Sequence, residues 1–291
     1  MSLRPLSLTC ALALATAAFT STTVSAQSSK NDWQKSYNVG SGAALSLEAT
    51  DAGIQVRACG SCSSISIHAH SDDLTRFNLE EHQDGAHVFF SLKEKLHVGF
   101  HMNWHNNTQV TVEVPSHLDL DVNTSDGSVA IAGLYGNAHL HSSDGSISVD
   151  GYNGALRLST SDGSIHVHNA AGTIDAGTSD GSAKVDGKFS SVQLKSSDGS
   201  LDLTLQPGSN LTAPSNIHTS DGHVTVHVPH DLAASLEVSA SDGRIESHLP
   251  LTVDGFDSRK SPHSHLSGRM NSGTVALTIR TSDGNITLTE L

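Results

Sequence analysis

The three-residue word Ser-Asp-Gly recurs along this chain at a fixed interval. Its glycines fall at Gly127, Gly145, Gly163, Gly181 and Gly199, each 18 residues after the last. Looser copies carry Gly222, Gly243 and Gly284. Repetition at constant period constrains architecture more than composition does, because each unit must pack against its own copies.

Superposing the copies gives apolar columns. Leu120, Ala138, Leu156, Ile174 and Val192 stand seven residues before the glycine, and Val122, Leu140, Leu158, Ala176 and Leu194 five before it. Val129, Ile147, Ile165, Ala183 and Leu201 stand two after it, and Ile131, Val149, Val167, Val185 and Leu203 four after it. Polar residues fill the positions between. Alternation with period two marks strands with one buried face. Each unit therefore reads as strand, Ser-Asp-Gly corner, strand, second corner. Glycine supplies positive φ at corners without steric cost, and Asp bonds to nearby backbone N–H groups, so the repeated word is turn chemistry.

Two all-β architectures satisfy these columns. Asp-Gly is a hairpin signal, so an antiparallel β meander or sandwich is one. Such a meander leaves one apolar face needing a second layer. A β-solenoid with two strands per coil of about 18 residues buries both faces against each other and explains the equal repeat lengths. We take the solenoid as the expected fold.

Residues 1–26 read as a secretory signal peptide: Arg4, an uncharged apolar stretch from Leu6 to Phe19, and Val24-Ser25-Ala26 before the cut. The apolar stretch is too short to span a membrane, and no later run approaches spanning length, so no membrane span is expected after cleavage. Residues 27–115 form an irregular N-terminal β segment leading into the repeat, with 45–56 a worn copy of it. Residues 116–291 form the Ser-Asp-Gly solenoid, interrupted by a polar loop at 254–273 that lacks a strand pattern. Export to the periplasm or the cell surface is the expected destination.

Loss of Arg4 with the leader takes the formal net charge from −14 to −15. An acidic chain without a basic run is no partner for nucleic acid. The mature chain retains Cys59 and Cys62, in Ala58-Cys59-Gly60-Ser61-Cys62. Such a pair can be redox-active, half a zinc site or a disulfide-closed turn. Strand-like flanks and the absence of a second pair favour the disulfide in an oxidising compartment.

Metal chemistry has two sequence candidates. In a solenoid Asp126, Asp144, Asp162, Asp180 and Asp198 stack as a ladder of carboxylates that Ca²⁺ would relieve. Histidines spaced by two, His68/His70, His139/His141, His166/His168 and His263/His265, lie on one strand face within reach of Zn²⁺ or Cu²⁺. His97, His101 and His105 are spaced by four. The alternative in each case is a solvated surface group.

No catalytic residues and no cofactor are expected. There is no nucleophile elbow, phosphate loop or His-Glu-x-x-His motif, and no ladder of outward aromatics. The enzyme-class alternative is a polysaccharide-acting β-helix enzyme, its site most naturally at 95–107 or 254–273.

The exported start, the "TSDGSI" words with alternating flanks and the closing strand pair "VALTIRTSDGNITL" resemble the bacterial putative-adhesin domain family over roughly residues 40–291. The resemblance implies an extracytoplasmic, non-enzymatic binding or scaffolding module. Its implied partners are an envelope protein, a surface polysaccharide or further copies of itself.

Overall fold

The computed structural model describes residues 26–95, 107–252 and 264–291. It is a two-sheet parallel β-solenoid. The segments flanking the Gly163 corner, 153–159 and 165–168, do not pair with each other. Asn153–Ser159 instead pairs in parallel with residues 171–177 of the following coil, and Ile147–Asp150 with residues 165–168. The register shift is one repeat, so like residues lie over like: Leu156 pairs with Ile174 and Val149 with Val167. The meander is thereby excluded.

The strands before the Ser-Asp-Gly corner form a leading sheet and those after it a trailing sheet. Their inward columns meet as one continuous aliphatic core, with Leu140, Ile147, Ile165, Val185, Leu194 and Leu203 fully buried. The interior between the sheets is filled mainly by Val, Ile, Leu and Ala; apart from Tyr152 and Phe189 in the central rungs, the large buried rings gather at the N-terminal cap. There Trp33 packs on Phe90 with ring centroids 5.1 Å apart, and Tyr37 and Phe77 are also buried.

The order of coils in space departs from their order in sequence at both ends. Ala276–Thr281 lies between Ser215–Thr219 and Ala234–Ala240, and Ile286–Glu290 lies between Val224–Val228 and Ile245–Ser247. The last coil of the chain is therefore an interior rung. At the other end, Ala44–Ala49 sits between His87–Glu94 and Asp119–Thr124, and Gly53–Ala58 between Gln109–Val114 and Val129–Ala132. The solenoid thus reaches well into the segment 27–115, whose worn copy is a full rung.

Antiparallel strands cover both sheets at the N-terminal end and the leading sheet at the far end, removing parallel edges that would otherwise template association. Ser64–His70 pairs antiparallel with Gln109–Val114, and Asp32–Asn38 with Ser64–His70. Phe77–Asp84 covers His87–Glu94. The two parts of this cap are joined through Glu81, which accepts from Lys35 Nζ at 2.6 Å and from the Tyr37 hydroxyl at 2.7 Å. At the far end His265–Met270 pairs antiparallel with Ala234–Ala240. This corrects the expectation that 254–273 holds no strand: burial of Met270 and Gly268 against the last rung imposes one. Among the described residues no helix is long and apolar enough to cross a membrane.

The corner glycines also require correction. Gly127, Gly145, Gly163, Gly181 and Gly199 do not have positive φ; Gly133, Gly136, Gly151, Gly154 and Gly172, at the second corner, do. The Ser-Asp-Gly glycines are needed because successive rungs touch there through backbone alone. A Cβ on Gly145 would lie 2.0 Å from the Gly127 carbonyl oxygen, and one on Gly181 1.9 Å from that of Gly163. The same column runs Gly199, Gly222, Gly284, Gly243, in the spatial order of the rungs.

A buried hydroxyl column accompanies it, three residues before each of these glycines except Gly243, where Ala240 stands. Ser142, Thr160, Thr178, Ser196, Thr219 and Thr281 are all inside. Thr160 Oγ1 accepts from the Gly163 N–H at 3.2 Å and donates toward the Gly145 carbonyl at 3.1 Å. Each hydroxyl thereby ties its own corner to the rung before it.

Candidate functional site

With identical corners and an aliphatic interior, variety is left to the outward positions. On the leading sheet these form in-register rows. One row runs Ser46, Asp121, His139, Arg157, Asp175, Gln193. Beside it runs a shorter-chained row that includes Asn137, Ala155, Thr173 and Ser191. Together they line an open groove of about 810 Å³ that crosses successive rungs.

The groove continues, through Asp119, Asn137 and Ala155, into a second hollow of about 450 Å³ bounded by His117, Tyr135 and Asn153. Here Gly136 and Gly154 are the second residues of the strands Tyr135–Ser142 and Asn153–Ser159, with φ of 135° and 142°. A Cβ at Gly154 would meet the Gly136 carbonyl oxygen at 2.0 Å, so these positions stay bare and the surface is hollowed. Tyr135 stands at this rim, 45 % exposed, its ring 5.3 Å from that of His117 in an edge-to-face arrangement.

Polar side chains in the groove meet across rungs. His139 Nδ1 lies 3.7 Å from Asp121, and Arg157 Nε lies 3.8 Å from Asp175. Asn137 donates to Asp119 Oδ1 at 2.8 Å. Beneath, burial and then the Asp119 carboxylate push the Tyr152 phenol above its ordinary range, so it stays a neutral interior group.

The sequence-derived metal candidates are placed as follows. Asp126, Asp144, Asp162, Asp180 and Asp198 sit one per rung, exposed at the Ser-Asp-Gly corner. The backbone N–H groups of Asp144, Asp162, Asp180 and Asp198 tie rungs together, as when Asp162 N donates to the Ser143 carbonyl at 3.1 Å. His68 and His70 share one face, and both bond to Asp32 Oδ1, at 3.2 and 2.8 Å. The His70 hydrogen bond, and more weakly that of His68, holds the Asp32 carboxyl below its usual range against the opposing effect of burial. His139 and His141 turn to different neighbours, Asp121 and Ser159. His168 lies 3.4 Å from Asp186. Among the described residues no three His, Cys, Asp or Glu side chains converge as a metal set. His97, His101, His105 and His263 lie outside the described residues, as do most of the expected enzyme-site segments 95–107 and 254–273.

Cys59 and Cys62 face each other across the turn between Gly53–Ala58 and Ser64–His70, with Cα atoms 5.8 Å apart. That spacing suits a disulfide.

Sequence reasoning missed the groove and Tyr135. The available signal was the Tyr-Gly-Asn of 135–137 and the matching Asn-Gly of 153–154, where bare glycines precede polar residues.

Fold and surface together define a capped two-sheet β-solenoid with a polar groove on one face. The chain belongs to the Toastrack DUF4097 family, whose model matches residues 42–289, in agreement with the expected putative-adhesin domain family. No curated protein matches it. Among solved structures it is similar to a putative adhesin from Bacteroides fragilis NCTC 9343, at 11% identity and TM-score 0.38 over 89% of this chain and 98% of that one. It is also similar to a putative cell adhesion protein from Clostridium sporogenes ATCC 15579, at 9% identity and TM-score 0.32 over 89% and 99%. A putative adhesin from Parabacteroides distasonis ATCC 8503 matches at 11% identity and TM-score 0.29 over 89% and 97%.

Proposed function

We propose that the protein is an exported, non-enzymatic binding module of the cell envelope, of adhesin type, and that the leading-sheet groove is its contact surface. The observation carrying this reading is the contrast within each rung. Corner and core positions repeat almost unchanged, while the exposed row from Ser46 to Gln193 differs at every step. A stiff scaffold presenting varied polar groups over several rungs is suited to recognising an extended partner. Export is supported by the leader-like residues 1–26, and by a cysteine pair whose spacing fits a disulfide.

The test is retention of the purified protein on envelope fractions, run beside a polysaccharide-degradation screen. Retention without turnover is the expected result. Release of reducing ends would overturn the non-enzymatic reading, and failure to bind any fraction would overturn the binding one.

A further inference from the structure

The ligand class of the groove can be argued from its chemistry. We infer that it binds a neutral polysaccharide, laid along the solenoid axis with one sugar ring against the Tyr135 side chain. This rests on the binding-module reading above.

Shape comes first. The groove is open and elongated, crossing rungs rather than following one strand. Anything lying in it meets a new set of side chains about every 4.8 Å, the spacing of adjacent strands. A polymer of pyranose rings in extended form advances by a similar length per residue, so one ring can face one rung. A peptide strand lying across the rungs would find the sheet's backbone hydrogen bonds already used.

Polarity narrows the class. Asn137, Asn153, Arg157 and Asp175 offer planar or paired donors and acceptors, the geometry that bonds to vicinal hydroxyl groups. The Arg157–Asp175 pair cancels its own charge, and the carboxylates of Asp119 and Asp121 leave the groove with no positive excess. The whole chain carries a formal charge of −14, so an anionic polymer is repelled at long range and finds no unpaired basic row here. A neutral polyol needs neither.

Tyr135 completes the case. Among the described residues it and Leu291 are the large hydrophobic side chains left exposed, and of the two Tyr135 lines the hollow. A ring held at the groove's rim, steadied by His117, gives an apolar platform with a polar tip. The C–H face of a sugar fits such a surface.

Affinity electrophoresis and titration calorimetry of the full chain against soluble neutral β-glucan, galactomannan and xylan, with polygalacturonate as the acidic comparison, test this. At least one neutral polymer should retard the protein, and polygalacturonate should not. Tyr135→Ala should weaken that binding about tenfold, Tyr135→Phe should restore it, and Arg157→Ala should weaken it. Lys184→Ala, on the opposite face, should change nothing, and all four variants should melt as the parent does. Binding of polygalacturonate alone, or neutral binding indifferent to Tyr135 and Arg157, would overturn the inference. So would retention on envelopes that is lost on protease treatment of the envelope and accompanied by no polysaccharide binding; that result would leave the binding module standing with a protein ligand. Absence of both envelope and polysaccharide binding would remove the two together.

Discussion

A Cβ placed on Gly163 would lie 2.2 Å from the carbonyl oxygen of Gly145 in the preceding rung. Backbone meets backbone at this column, and no side-chain movement can make room. Gly163→Ala is expected to cost about 3 kcal/mol, the upper range for an overpacked site, or about 6–12 °C in Tm for a chain of this size. The exposed neighbour is the control: Asp162→Ala should stay within about 0.5 kcal/mol of the parent. Equal melting of the two variants would refute a steric role for the glycine.

Thr160 makes the complementary test of the hydroxyl column. Thr160→Val keeps the shape but strands the Gly163 N–H and the Gly145 carbonyl, both buried. The expected loss is about 1–3 kcal/mol. Thr160→Ser should be close to neutral, since Ser142 and Ser196 fill the same position in other rungs. Denaturant titration of the pair measures the hydroxyl directly.

Because residues 276–290 form an interior rung, their removal should be far more damaging than a terminal deletion usually is. A chain ending at Val275 leaves two facing parallel edges, and residues 234–270 lose the rung they stack upon. Limited proteolysis should then cut within that region. A synthetic peptide of residues 276–291 should restore protection by adding the missing strands. Undiminished protease resistance without the peptide would contradict the rung order.

Asp51 gives a pH signature. Partial desolvation at this exposed corner first, then the neighbouring Asp126 carboxyl and the charge of Glu94, raise its pKa to about 6. The folded state thus binds this proton more tightly than the unfolded chain, so the contribution to stability is complete below about pH 4 and is lost as pH rises through 6. Asp51→Asn should be more stable than the parent at pH 7.5, by no more than about 1 kcal/mol because the side chain is exposed and screened. The advantage should vanish at pH 4. Asn also suits the φ of 52° at this position.

A disulfide joining Cys59 and Cys62 would leave no titratable thiol in the unreduced, denatured mature protein. Replacing both by Ser should lower stability by about 2 kcal/mol on the loop-entropy account. Two free thiols in protein purified from an oxidising compartment would refute the bond.

Much of this was legible in the residues. The 18-residue columns named the inward positions of the central coils, and every one is buried. Tertiary contact overruled local inference at the glycines, where turn propensity pointed to φ and the actual demand is the approach of the next rung. The stretch His265–Met270 was missed because its alternation is weak, and it becomes a strand by covering an edge.

The sequence by itself determined the rung: its length, its aliphatic interior and its two corners, all local consequences of period-two alternation and turn chemistry. Only the tertiary structure decided which rungs are neighbours. Gly284 stacks between Gly222 and Gly243, and Ser46 lies beside Asp121; near-identical rungs offer the same edges, so the repeat period alone does not rank them. The groove inherits that decision. Its rows exist only once residues far apart in the chain are set side by side at strand spacing.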